Sequence, residues 1–187
     1  SGLRASLDFY DITIEGVVSA VASSDVLNRC FAGNQNYCQQ IEFVPQGNGN
    51  IRNINLAPFN QAELSTSGVD FEIAYGVPIE EFGIPGELNI NSLVNYTDKL
   101  ERVDVPGPAA IAVDYAGYSM GGGTPKLTGT FGVNYALDGL RVGLRARVFS
   151  EIRYDPSLIG PDEDGYSPTL PNSINVNRFP SVPYFSM

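Results

Sequence analysis

Histidine and tryptophan are absent from this chain, and cysteine occurs only twice. Without an imidazole, Ser-His-Asp and Cys-His catalysis within the chain is excluded, as is every metal site that needs a histidine ligand. No run of about 18 apolar residues occurs, so the sequence encodes no transmembrane helix, while crossing by strands stays open. Cations are also scarce. With 11 basic against 21 acidic residues the net charge is −10, which leaves no electrostatic footprint for nucleic acid or anionic headgroups. The first residues, 1–7, lack the basic region, apolar core and small-residue cleavage site of a signal peptide. The chain is therefore expected to be a mature product or a part of something larger.

Cys30 and Cys38 lie eight apart in the polar segment Cys-Phe-Ala-Gly-Asn-Gln-Asn-Tyr-Cys. In a chain with only two cysteines this spacing favours a short disulfide-closed loop and an oxidising compartment, with two unrelated free thiols as the alternative. Metal binding by the two cysteines alone is the weaker reading, and no metal site is assigned.

What is present points to an all-β fold. The apolar residues come in short alternating runs separated by stretches rich in Gly, Pro, Asn and Asp. Leu3, Ala5, Leu7 and Phe9 alternate with polar residues. The apolar parity then passes to Tyr10, Ile12 and Ile14, which implies a β-bulge or a change of exposure near Asp11. Ser23, Ser24 and Asp25 are placed to cap one helical turn through Val26 and Leu27, and residues 41–56 read as a small hairpin turning at 46–50.

A longer strand is expected over 62–76, with Val69, Phe71, Ile73 and Tyr75 on one face and Thr66, Gly68, Asp70 and Glu72 on the other. After a short turn region at 78–86, Leu88, Ile90, Ser92, Val94 and Tyr96 oppose Asn89, Asn91, Leu93, Asn95 and Thr97. A long loop follows at 99–123. Leu127, Phe131, Val133 and Tyr135 then oppose Lys126, Thr128, Thr130 and Asn134, up to a tight turn at 137–139. On the return strand Leu140, Val142, Leu144, Ala146 and Val148 alternate with Arg141, Gly143, Arg145 and Arg147. A second long loop occupies 155–177, and 181–187 begin another strand.

Short connections thus alternate with long ones, and every long strand has one apolar and one polar face. A transmembrane β-barrel explains both features together: antiparallel strands, lipid against the apolar face, a polar lumen, short periplasmic turns and long extracellular loops. Tyr75, Tyr96 and Tyr135 near the ends of apolar runs fit an interfacial girdle. Five or six strands do not close around a polar lumen, so the chain is expected to be a partial barrel wall. The alternative is a secreted all-β binding module, an adhesin or carbohydrate-binding sandwich whose core would be those same apolar faces. A hydrolase using acidic loop residues is a third.

The run Leu7-Asp8-Phe9-Tyr10-Asp11-Ile12-Thr13-Ile14-Glu15-Gly16, followed by the capped turn and the cysteine loop, resembles the late barrel of TonB-dependent receptors. So do Asn60-Gln61-Ala62-Glu63-Leu64-Ser65-Thr66-Ser67-Gly68-Val69-Asp70-Phe71-Glu72, Pro125-Lys126-Leu127 and Asn134-Tyr135. The resemblance covers about 7–187. It implies that 1–187 are part of one receptor barrel domain, with the plug, the TonB box and the closing strands outside the sequence. It also implies the outer membrane of a Gram-negative bacterium, no enzymatic activity and no cofactor. The implied partners are outer-membrane lipid, the TonB complex through the plug, and a small-molecule or glycan ligand. Energy-coupled import of a ferric siderophore, cobalamin or oligosaccharide is the implied function.

Lys126, Arg141, Arg145 and Arg147 are then lumen-facing candidates for an anionic ligand or for plug carboxylates. The plainer reading has them solvating the lumen or pairing with Asp70 and Glu72. Asp162-Glu163-Asp164-Gly165 lacks the downstream Glu of a calcium loop and reads as a solvated acidic loop.

Overall fold

The computed structural model of the chain describes residues 2–19, 23–45, 49–56, 59–60, 63–103 and 112–187. Its first half runs β1 (Leu3–Glu15), β2 (Val18–Ser19), α1 (Ser23–Phe31), α2 (Gln35–Cys38), β3 (Ile41–Phe43), β4 (Ile51–Ile54) and β5 (Phe59–Asn60). Then come β6 (Glu63–Val77), a 3-10 turn (Ile79–Phe82), β7 (Glu87–Val103), β8 (Ala112–Asp114) and a second 3-10 turn (Met120–Gly122). The chain ends with β9 (Leu127–Leu137), β10 (Leu140–Phe149), β11 (Ile152–Arg153), β12 (Arg178–Phe179) and β13 (Val182–Ser186). Two compact units result: Ser1–Thr13 with Ser65–Arg102 and Val113–Met187, and Ile14–Leu64 with Val103–Ala112.

The first unit is built on a sheet of order β1-β6-β7-β9-β10-β13, with β8 added beside β7. Strands β7, β9, β10 and β13 pair antiparallel. The Gly76 N–H donates to the Gly2 carbonyl at 3.5 Å, joining the end of β6 to the start of β1 and making that pair antiparallel as well. Between β6 and β7 the connection is too short to carry a parallel crossover. Consequently β1, β7 and β10 end at one edge of the sheet, where the long connections begin. The short ones lie at the other.

The register aligns the faces across strands. Ile90 faces Val133, which faces Leu144, and Ser92 faces Phe131, Ala146 and Phe185 in one row. Directly opposed residues share a face, so the alternation in each strand adds up to one continuous apolar surface. Nothing within the unit covers it: Leu127 is 42% exposed, Phe131 44%, Leu140 54% and Leu144 47%. A sandwich would bury these side chains beneath a second sheet, and no second layer is present among the described residues. The sandwich alternative is therefore corrected, and the architecture is an antiparallel barrel wall, not closed in this chain. Tyr96 ends the apolar face at the long-connection edge, opposite Leu127, and Tyr135 lies towards the other, donating from its hydroxyl to the Pro85 carbonyl at 2.6 Å.

One expectation about strand limits needs revision. β7 continues to Val103, so the loop expected at 99–123 opens as strand, and β8 pairs back onto it. The Asp114 carboxylate accepts the Leu100 N–H at 3.0 Å and the Tyr115 N–H donates to the Leu100 carbonyl at 2.8 Å, supplying ladder partners that local sequence does not reveal. Residues 104–111, with the breakers Pro106, Gly107 and Pro108, and the turn positions 46–48 lie outside the described residues, as do Gln61 and Ala62. β1 is one continuous strand through Asp11.

The second unit holds the excursion after β1. α1 is nine residues long rather than a single turn, because Val26, Leu27 and Cys30 recur on one helical face and pack into a small core with Tyr37, Ile41 and Ile54. A Cys30–Cys38 disulfide, with Cα atoms 4.8 Å apart, ties α1 to α2. Asn34 caps α2 by accepting the Asn36 N–H at 3.2 Å. The hairpin of β3 and β4 pairs Ile41 with Ile54, and the Arg29 guanidinium sits 5.4 Å from the Tyr37 ring centre.

Candidate functional site

The polar face of the sheet is the mirror of the apolar one. Three rows cross it: Asn89, Asn134 and Gly143; Asn91, Gly132, Arg145 and Ser186; and Leu93, Thr130, Arg147 and Tyr184. Arg141, opposite Ala136, lies on the same face towards the short turn. Arg141, Arg145 and Arg147 therefore form a column along β10, exposed, and none of them enters an ion pair among the described residues. Phe149 continues the column and meets Tyr184 edge to face, ring centres 5.9 Å apart.

The other predicted residues are not brought to this column. Asp70 and Glu72 lie on β6, with β7 and β9 between them and the arginines, so pairing with Arg141, Arg145 or Arg147 does not occur. Glu72 lines a depression with Arg4, Ser6 and Ala74. Asp70 accepts a 2.6 Å hydrogen bond from Asn95 Nδ2, which also donates to the Tyr10 hydroxyl at 3.2 Å. Thr97 closes this network by donating to Asn95 Oδ1 at 3.1 Å. Lys126 sits at the long-connection edge, its methylenes against Gly117, in a depression shared with Asp114, Tyr118, Glu151 and Arg153. The structure thus separates the six candidates into an arginine column, a β6 carboxylate pair and one edge lysine.

A second polar centre was not foreseen. In the connection 150–181, Glu163 accepts the Gly160 N–H at 2.6 Å and Asn177 Nδ2 at 2.8 Å, and pairs with Arg153 at 2.8 Å. Asn177, only 1% exposed, also donates to the Leu158 carbonyl and accepts the Asp155 N–H at 3.1 Å. Arg178 pairs with Asp162 at 3.1 Å. The Asn177 amide first, then the Gly160 N–H, and the charges of Arg153 and Arg178 hold the Glu163 carboxyl below its ordinary pKa near 4.5, against the opposing effect of burial. The expected solvated acidic loop is corrected on this point: Asp162 and Asp164 are exposed, but Glu163 organises the loop. Its partners lie up to 14 residues away, so no local motif marked it.

Backbone bonds join this connection to the preceding one. The Arg153 N–H donates to the Gly117 carbonyl at 2.8 Å, Ser119 N–H to Arg153 at 2.8 Å, and Met120 N–H to Tyr154 at 2.9 Å. The two loops therefore form one hydrogen-bonded layer. No group of carboxylates and cysteines among the described residues is arranged to hold a metal ion.

The family model described as TonB dependent receptor-like, beta-barrel, matches residues 1–181. No curated protein and no solved structure matches the chain.

Proposed function

The chain belongs to the TonB dependent receptor-like β-barrel family, whose members are receptors and transporters of the Gram-negative outer membrane, and from that premise we propose that its polar face lines the passage of an energy-coupled importer. The observation that carries this reading is the arginine column of Arg141, Arg145 and Arg147, unpaired within its own sheet, on the face opposite an uncovered apolar surface. Cations left without partners on a lumen wall attract either an anionic ligand or carboxylates of a segment that fills the lumen. Asp70, Glu72 and Lys126 face the same passage at other points of the wall.

On this reading 1–187 form part of a single barrel domain, and the free edges of β1 and β13 pair with further strands, because an unpaired edge is not tolerated in lipid. The plug and its TonB contact lie elsewhere in the receptor. The substrate is one such as a ferric siderophore, cobalamin or oligosaccharide.

The test is uptake by cells carrying the full-length receptor with Arg145→Glu and Arg147→Glu together, scored over a panel of ferric chelates, cobalamin and oligosaccharides. Loss of one substrate, with the receptor still in the outer membrane and still heat-modifiable on gels, is the expected result. Uptake equal to wild type for every substrate whose import depends on the receptor would overturn the role of the column.

A further inference from the structure

Two long connections meet above the wall: residues 113–126, which lead from β7 towards β9, and residues 150–181, which lead from β10 to β13. Loops that leave separate strand pairs ordinarily open independently, each with its own local free energy. These two share a small sheet. Its middle stretch is 152–154. On one side Tyr118 bridges Arg153 in parallel, and on the other β12 pairs antiparallel with β11, placing Arg178 opposite Arg153.

Arg153 holds both connections at once. Its N–H donates to the Gly117 carbonyl and its carbonyl accepts the Ser119 N–H, both at 2.8 Å, so its backbone is committed to the first connection. Its guanidinium meets the Glu163 carboxylate at 2.8 Å, in the second. Tyr154 repeats the division. Its carbonyl accepts the Met120 N–H at 2.9 Å and the Ser119 hydroxyl at 3.3 Å, while its N–H donates to the Asn177 carbonyl at 2.8 Å.

Behind these shared bonds each connection is braced within itself. In the first, the Gly117 N–H donates to the Thr124 carbonyl and the Gly123 N–H to the Met120 carbonyl. The turn lies so closely over the Tyr115 ring that a Cβ on Gly121 would overlap it. In the second, the Asp155 N–H donates to Asn177 Oδ1, the Gly160 N–H to Glu163 and the Ile159 N–H to the Asn172 carbonyl.

From this division of bonds we infer that the two connections are a single conformational unit, in which opening of either one opens the other, with Arg153 as the shared node. Opening the second alone would pull 153–154 away and leave the Ser119 and Met120 N–H groups without their acceptors. Opening the first alone would strip both backbone groups of Arg153 and the Tyr154 carbonyl. Each group left unpaired raises the cost of a solitary opening. Whatever steadies or displaces one connection therefore acts on both, although their ends lie on different strands of the wall.

The experiment is native-state amide exchange on the full-length receptor in reconstituted vesicles, followed residue by residue at small increments of urea. The reporters are amides bonded inside one connection only: Gly117 and Gly123 in the first, Asp155, Ile159 and Gly160 in the second. A single unit brings all five onto one opening curve, with the same slope in urea, below the urea concentration at which the amides of β9 and β10 exchange. Two curves, one for each connection, overturn the inference. So does opening of all five only together with β9 and β10, which would make the loops part of the wall.

Two substitutions then perturb the unit from opposite ends. Gly123 has extended backbone that alanine accepts, so Gly123→Ala acts by crowding the Tyr115 and Tyr118 carbonyls. Asn177→Ala removes the carboxamide that holds Asp155 and Leu158. Each is expected to speed exchange at all five reporters by a common factor, about tenfold, while β9 and β10 keep their rates. Faster exchange confined to the connection that carries the substitution overturns the inference, and the wild-type curves decide alone where a variant does not assemble.

Discussion

Tyr10 on β1 reaches across the neighbouring strand β6 over Gly68, where a Cβ would overlap the tyrosine ring edge and the Tyr96 carbonyl. Only the missing side chain lets the phenol arrive 3.2 Å from Asn95 Nδ2 and 3.5 Å from Thr97 Oγ1 on β7. Three consecutive strands are stapled on their polar face by a bond that skips the middle one.

Gly68→Ala is therefore expected to destabilise the barrel by about 1–3 kcal/mol, because the added methyl displaces backbone and ring together. Tyr10→Phe keeps the packing and loses only the hydroxyl, for about 1 kcal/mol. Urea midpoints read by heat-modifiable mobility in reconstituted full-length receptor check both. Equal effects of the two substitutions would show that the glycine does not serve the tyrosine.

The apolar face makes a second prediction. Leu144 lies near the middle of β10 in a row with Val133 and Ile90. Leu144→Arg places a charge against hydrocarbon and costs about 2–4 kcal/mol at the bilayer midplane. The heat-modifiable fraction after assembly should fall, whereas Arg145→Leu, one residue away on the polar face, should leave it unchanged. A Leu144→Arg receptor that assembles like wild type would mean that this face does not meet lipid.

Much of this arrangement was legible in the sequence because period-two alternation survives folding unchanged. Val133, Leu144 and Ile90 announce their face one strand at a time, and antiparallel pairing then has little choice of register. The alternating lengths of the connections likewise told a barrel wall from a sandwich. What stayed hidden depends on contacts distant in sequence. Asp114 extends β7 by accepting the Leu100 N–H, 14 residues back, and Asn177 ties Leu158, Glu163 and Asp155 together from outside any motif. The arginines were legible as residues on one face. Their separation from Asp70 and Glu72 required the strand order.

The cysteine loop provides a third prediction. Cys30 and Cys38 close a short loop over the core of Val26, Tyr37 and Ile41. Loop-closure entropy for such a span corresponds to about 2–3 kcal/mol. Cys30→Ser with Cys38→Ser should raise amide exchange in α1 and α2 while the amides of β9 and β10 keep their protection, since those strands belong to the other unit. Alkylation of both thiols in receptor purified without reductant would remove the bridge from consideration.

Acidification tests the Glu163 centre. Its carboxyl titrates below the ordinary value near 4.5 because the folded loop favours the charged form through Asn177, the Gly160 N–H and two arginines. A group whose folded pKa is depressed contributes stability that is fully present above its unfolded value and lost as pH falls through the folded one. Exchange protection at Gly160, Asp155 and Tyr154, corrected for intrinsic rates, should thus hold at neutral pH and decline only once the pH drops below about 4.5. Glu163→Gln abolishes the charge while keeping the shape. A hydrogen bond to a charged group contributes about 1.5–3 kcal/mol, so this variant should open the loop by an order of magnitude or more at neutral pH and show little further change on acidification. If wild type and Glu163→Gln exchange alike at neutral pH, the loop is held by its backbone bonds to Gly117, Ser119 and Met120 instead, and the carboxylate is incidental to it.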